Sequence, residues 1–273
     1  MDCFCLYTSN RRKEAPIAVF DSGVGGISVL RALLQEMPNE NYWYYGDSAN
    51  APYGTKSLEE VRRLTVSHVD RFIEEGAKAV VVACNTATSA AVRYLRQKYP
   101  TVPLIGIEPA LKPAVLFKNH PNVVVMATPM TIREEKFHNL MGRYMGMAHI
   151  IPLPCPGLME YIEHGDIQSE ELECFLEKLF EPFEKQKLDA VVLGCTHYPF
   201  VSRELQKVLG SHVTLFEGGS GTARETKRRV AAAGLLNPSG KKGSIRFDNS
   251  QQSKEKQRLC MRLLGINFTV EKK

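Results

Sequence analysis

The sequence predicts an α/β fold of two similar doubly wound parallel-sheet domains, related by a pseudo-two-fold axis, with the active site in the cleft between them. Three observations predict it. Short Val-rich runs of strand length alternate with stretches of helical periodicity almost throughout the 273 residues, the pattern of a parallel sheet with crossover helices. Those runs lack strict apolar/polar alternation, as expected of strands covered on both faces. One arrangement also occurs twice. "AVVVACNTATSAAV" from Ala79 and "AVVLGCTHYPFVSREL" from Ala190 each read as an apolar strand that ends in Cys, at Cys84 and Cys195, and runs into a polar, helix-prone stretch.

Taken in order, strands are expected at 17–20, 42–45, 79–83, 103–107, 123–127, 149–153, 190–193 and 213–216. The clearest helix starts at Ser57, which forms a capping box with Glu60. It presents Leu58, Val61, Leu64, His68, Val69, Phe72 and Ile73 on one face and stops at Gly76. The rhythm breaks twice, at "IGIEPALKPAV" near 108–109 and at "EGGSGTARE" over 217–225. The residues after the second break are too few for a domain of their own and are expected to pack back. Hence one domain is predicted over 15–108 plus 218–273, a second over 109–217, and a disordered extension over 1–14.

Composition narrows the function classes. The net charge of +5 is spread along the chain, and basic clusters such as Lys227-Arg228-Arg229 have no interleaved aromatics, so nucleic acid is not an expected partner. No run approaches the roughly 18 apolar residues of a membrane helix, and "MDCFCLYTSNRRKEA" lacks the apolar core of a secretory signal. A cytoplasmic location is expected, with no membrane partner. Seven irregularly spaced cysteines fit reduced thiols better than a disulfide framework. Cys3 and Cys5 form a lone C-x-C without a second ligand pair, so no metal site is expected.

Chemistry concentrates beyond the carboxyl ends of strands in such sheets. "VFDSGVGG" with Asp21 and Ser22, "YYGDSANAPYGT", and the two Cys motifs all fall there. A lone Cys is usually a small buried hydrophobe. Just before a helix N-terminus, however, it meets the positive end of the dipole, which lowers a thiol's proton affinity. Cys195 is expected to repeat this geometry, with His197 beside it. Two pseudo-symmetric strand ends facing each other would set one thiol on each side of a small ligand, which is what inversion at carbon requires. Asn85, Thr86, Thr88, Ser22 and Thr196 offer donors suited to carboxylates, so an acidic small molecule is the expected partner. "DSGVGG" matches neither dinucleotide nor P-loop spacing, and no lysine is singled out for pyridoxal phosphate.

Together, "AVFDSGVGGISVL", "YYGDSANAPYGTKS", "VVACNTATS" and "VVLGCTHYP" closely resemble the cofactor-independent aspartate/glutamate racemase family, and within it the glutamate racemases. The resemblance runs in order from Ile17 to about Phe216. It implies a two-base mechanism without a cofactor. Cys84 would take the α-proton of D-glutamate and Cys195 that of L-glutamate, with Asp21 and His197 assisting the thiols. It carries substrate contacts onto Asp21, Ser22, Tyr53, Gly54, Asn85, Thr86, Thr196 and His197, with Thr128 in "MATPMTI" a further one and Glu163 in "CPGLMEYIEHG" a Glu near the second thiol. Supply of D-glutamate for peptidoglycan and a homodimeric state, with no interface residues assigned, are also implied. Glu217 and the glycines after it depart from the family's usual Ser-rich turn.

Other readings compete. An aspartate or hydantoin racemase shares the fold, although "CTH" rather than "CTE" in the second motif points to glutamate. A decarboxylase relative would keep one Cys, and here both are present. A non-catalytic binding protein would have no need of paired thiols at two strand ends.

Overall fold

The structure is a computed structural model, and it describes residues 12–265. Its strands are β1 (Ile17–Asp21), β2 (Tyr42–Gly46), β3 (Ala79–Val82), β4 (Leu104–Gly106), β5 (Asn122–Ala127), β6 (His149–Pro154), β7 (Ala190–Leu193), β8 (Thr214–Glu217) and β9 (Ile245–Asn249). All pair in parallel. The first sheet has the order β4-β3-β1-β2-β9 and the second β6-β5-β7-β8. With β5 to β8 set against β1 to β4 in sequence, the second order repeats the first four strands of the first. The duplicated Cys motif is therefore one sign of a duplicated βα plan: Cys84 follows β3 and Cys195 follows β7, the same position in each sheet.

Both faces of the first three strands are buried, which explains their unbroken apolar runs. Side chains still alternate between faces. Ile17 and Val19 join one continuous apolar cluster that also takes in Val124, Val191 and Leu193 of the second sheet. Ala18 and Phe20 point the other way, into a cluster with Trp43, Val80 and Phe72. The two sheets are thus joined through a shared apolar interior.

The helix expected from Ser57 is α2 (Leu58–Glu74), following α1 (Ile27–Glu36). Ser57 Oγ accepts from Glu60 N–H at 3.2 Å, while the Glu60 carboxylate takes Lys56 Nζ at 2.8 Å. Gly76 ends the segment at φ +87, a left-handed conformation that favours glycine. After β3 comes α3 (Asn85–Lys98), and the second half carries α4 (Leu111–Leu116), α5 (Pro129–Arg133), α6 (Glu135–Gly142), α7 (Leu158–Glu163), α8 (Glu170–Phe180) and α9 (Ser202–Leu209).

Past the second break the chain forms α10 (Gly219–Ala232), which packs on α1. Glu217 acts locally: its carboxylate accepts from Gly219 N–H at 2.5 Å and Ser220 Oγ at 3.2 Å, satisfying free donors at the start of α10. Strand β9 then pairs with β2, Tyr42 opposite Ile245 through Gly46 opposite Asn249. The last helix, α11 (Lys254–Leu264), packs against α1 and β9.

Of the extension expected to be disordered, residues 1–11 lie outside the described residues, Cys3 and Cys5 among them. Residues 12–14 are a helical turn, contrary to that expectation. The reason is a buried ion pair, Lys78 with Glu40. Lys78 Nζ also donates to Lys13 O, and Asn41 Nδ2 donates to Glu14 O at 2.7 Å. Among the described residues no helix is long and apolar enough to cross a membrane.

Candidate active site

Cys84 is the N-cap of α3, and its Sγ accepts from Ala87 N–H at 3.5 Å and from Ser22 Oγ at 3.4 Å. The helix N-terminus expected around this thiol is present. Its expected consequence is reversed. Cys84 is only 5% exposed, and burial, reinforced by the charge of nearby Asp21, pushes the thiol up to about 12. Desolvation outweighs the two hydrogen bonds from Ser22 and Ala87 because it acts on the whole charge of the thiolate. Burial thus favours the protonated form of Cys84.

Cys195, 8% exposed, does not repeat the helix-cap geometry. Pro199 follows within a short 3₁₀ turn, Tyr198–Val201, and the α-helix begins only at Ser202. In place of a helix terminus the thiol has an imidazole, with Sγ 3.6 Å from His197 Nδ1. His197 Nε2 lies 2.7 Å from Glu163 Oε1. That oxygen also accepts from Val24 N–H at 2.7 Å, and Glu163 Oε2 faces Lys256 Nζ at 2.5 Å and Ser48 Oγ at 3.4 Å.

Charges alternate along this row, and each fixes its neighbour. Burial opposes ionisation of Glu163, but hydrogen bonds and charge from His197 and Lys256 outweigh it and hold the carboxyl at about 2. For His197, burial likewise opposes the charge, while Cys195 and Glu163 outweigh it and raise the imidazole well above its ordinary value.

The linkage has a definite sign. A carboxyl depressed from 4.5 to about 2 contributes stability that is fully present above about pH 4.5 and is lost as pH falls through 2. At about 1.4 kcal/mol per unit this amounts to about 3 kcal/mol. Urea unfolding of the wild type and Glu163→Gln should differ by about that much at pH 7 and converge toward pH 2. A gap that stays constant with pH would refute the assignment of the depressed carboxyl to Glu163.

Asp21, at the end of β1, lies between the two thiol systems. Oδ1 accepts from Gly23 N–H at 2.9 Å and Oδ2 from Thr196 Oγ1 at 3.0 Å. Burial raises it, with His197 opposing. Thr86 Oγ1 meets Thr128 Oγ1 at 3.1 Å and Thr131 Oγ1 at 3.2 Å, joining α3 to α5 across the halves. Gly54 sits against Thr128, where a Cβ would come within 2.7 Å of the Thr side chain. Asn85 Oδ1 is buried with no hydrogen-bond partner among the described residues. The sequence-predicted residues thus converge on one region.

Tyr53 enters it indirectly: its hydroxyl donates to Asp47 Oδ2 at 2.7 Å. Asp47 also faces His68 Nε2 at 3.1 Å, and these bonds, with Asn50, overcome burial and hold it at about 2. Sequence reasoning missed Asp47, although it stands at the end of β2 inside a loop already marked as chemical. It also missed Lys256, which carries no local signal in "KEKQRLC". Among the described residues no group of three or more His, Cys, Asp or Glu is placed to hold a metal ion.

The model of the Asp/Glu/hydantoin racemases matches residues 21–226, which contain both thiols, Asp21, Glu163 and His197. The chain belongs to the Asp/Glu/hydantoin racemase family. A glutamate racemase of Clostridium perfringens is 49% identical over 254 residues, 93% of this chain and 98% of the relative. The crystal structure of Thermus thermophilus glutamate racemase with β-chloro-D-alanine is 36% identical and superimposes with a TM-score of 0.79, covering 92% of this chain and 93% of that one. Francisella tularensis glutamate racemase bound to D-glutamate is 26% identical, TM-score 0.81, covering 94% and 96%. The chain is a racemase, an isomerase, and within the family it groups with the glutamate racemases.

Proposed function

We propose that this racemase interconverts L- and D-glutamate by passing the α-proton between Cys84 and Cys195 on opposite faces of Cα, without a cofactor, and that it supplies D-glutamate for peptidoglycan in the cytoplasm. One observation carries the reading: two thiols close equivalent strands of a duplicated fold, yet each has its own proton-handling partners, Ser22 and the α3 terminus for one, His197 and Glu163 for the other. A hydrolase with a Cys nucleophile would use only one of the two thiols. The bound D-glutamate of the Francisella tularensis enzyme supports the choice of substrate. The division into 15–108 plus 218–273 and 109–217 belongs to the same proposal, supported by the pairing of β9 with β2.

Each group then has a task. Asn85 Oδ1 is an acceptor suited to the α-ammonium, and Ser22, Thr86 and Thr196 offer hydroxyl donors to carboxylates. Thr128 and Gly54 shape the wall beside Thr86, with Tyr53 held behind them by Asp47. With L-glutamate bound, Cys195 takes the α-proton while His197 and Glu163 keep its surroundings charged, and the Cys84 thiol delivers a proton to the other face. Asp21, within reach of both systems, assists at Cys84. Fixed donors around the developing carbanion in a dry site provide the electrostatic stabilisation that the weakly acidic Cα–H requires.

Incubation of the protein with L-glutamate in D₂O tests this reading. Loss of the Cα proton signal should accompany decay of optical activity to zero, and aspartate should react at least about tenfold more slowly. Optical activity that persists with either glutamate enantiomer would overturn it.

A further inference from the structure

Helix α11 comes from the far end of the chain, more than ninety residues beyond Glu163, yet one of its side chains reaches the row that ends at Cys195. Ser253 starts the helix, its Oγ accepting from Lys256 N–H at 3.0 Å. One turn in, Lys256 projects inward and is 15% exposed, low for a lysine. Its Nζ makes two bonds, to Glu163 Oε2 at 2.5 Å and to the Glu163 main-chain oxygen at 2.7 Å. The second bond fixes the end of α7 and the first fixes the carboxylate, so the ammonium holds Glu163 at two points.

A carboxylate has two oxygens, and here their duties are divided. Oε1 receives His197 and Val24 N–H, while Oε2 receives Lys256 and Ser48, the latter itself accepting from Asn249 Nδ2 at 2.9 Å. Free rotation of the Glu163 carboxylate would exchange the oxygens and let the Oε1···His197 bond lengthen. Lys256 supplies the charged bond that opposes this rotation.

We propose that Lys256 is a positioning residue for the racemase reaction, anchoring the Glu163 carboxylate from the side away from His197 so that the imidazole stays set against the Cys195 sulfur. Lys256 touches neither thiol. It acts through Glu163 and His197, and the role rests on the two-thiol reading given above.

A simpler account is that α11 merely docks on α7. Arg262 provides the control, since its Nη2 donates to Gly165 O at 2.6 Å just past the same helix end without a bond to the carboxylate. Under the proposal, Lys256→Met lowers kcat about tenfold or more, with KM for glutamate within about twofold, because a displaced catalytic group costs rate rather than binding. Arg262→Met leaves both near wild type, and Lys256→Arg restores most of kcat.

Proton NMR of the substrate-free protein gives a second reading. The His197 Nε2–H resonance, far downfield in the wild type because of its short bond to a carboxylate, should move upfield or broaden in Lys256→Met and stay in place in Arg262→Met. Lys256→Gln, which keeps length and a donor without charge, serves if the Met variant does not fold and should show the same loss. Equal effects in the Lys256 and Arg262 variants, or a His197 resonance unmoved by loss of Lys256, would overturn the proposal. The resonance is read without turnover, so a wild type inactive on glutamate would refute the catalytic reading while the anchor was still decided by NMR.

Discussion

Replacing Cys84 with alanine lowers glutamate racemisation by about 10³-fold or more in both directions, as loss of a positioned acid/base does, and Cys195→Ala does the same. Both directions must suffer together. The enantiomers have equal free energy, so the ratio of the two kcat/KM values is pinned at one whichever thiol is lost. Exchange in D₂O is not so constrained. With only Cys195 left, a proton can leave and a deuteron return on the same face, so Cys84→Ala should exchange the α-proton of L-glutamate without inverting it and leave D-glutamate almost untouched. Cys195→Ala should show the mirror preference. The order follows from the assignment of Cys195 to L-glutamate. It also agrees with burial, which pushes the Cys84 thiol up to about 12 and so suits it to act as the acid of that half-reaction. Circular dichroism for inversion and NMR for exchange separate the two events. Racemisation surviving in either variant at more than about a tenth of wild type would end the two-base account.

Legibility of the site followed the range of the interactions that make it. Cys84 and Cys195 could be found because an apolar run ending in Cys marks a strand end, and the parallel plan sends every strand end toward the same side. Asp21, Ser22 and Thr196 were visible for the same reason. The proton affinity of Cys84 was not. Its sequence neighbours show a helix N-terminus, whereas the burial and the Asp21 charge that dominate arise from packing with residues distant in sequence, such as Phe20 of β1 and Tyr53. The surroundings of Cys195 depart from the expected repeat because Pro199 sits in a 3₁₀ turn, Tyr198–Val201, that delays the α-helix to Ser202. Lys256 was out of reach, since only the pairing of β9 with β2 returns α11 to the end of α7. Short-range patterns therefore show where chemistry sits, and long-range packing decides the protonation states there.

Gly25→Ala is expected to cut kcat by about 10²-fold, the scale of a displacement of about 1 Å in a catalytic group, by adding one methyl group. Gly25 does not lie in the left-handed region, so the demand is for space. A Cβ there would fall 2.3 Å from His197 Nδ1 and 2.6 Å from Thr196 Oγ1. His197 has nowhere to retreat: its other nitrogen is bonded to Glu163, and a Cβ at Gly23 would meet that same carboxylate at 1.9 Å. The methyl must therefore push the imidazole away from Cys195 or part β1's loop from the Thr196 turn, and either movement breaks the contact on which that thiol depends. Overpacking of this kind costs about 1–3 kcal/mol of stability, so the protein should stay folded while turnover falls. Gly221→Ala, on the exposed side of α10 with nothing within 4 Å of the added Cβ, supplies the comparison and should leave kcat unchanged. Urea unfolding beside initial rates distinguishes the effects. A Gly25→Ala protein that keeps more than about half the wild-type kcat would show that His197 is not confined in this way, and would remove the reason for glycine on the β1 side of the cleft.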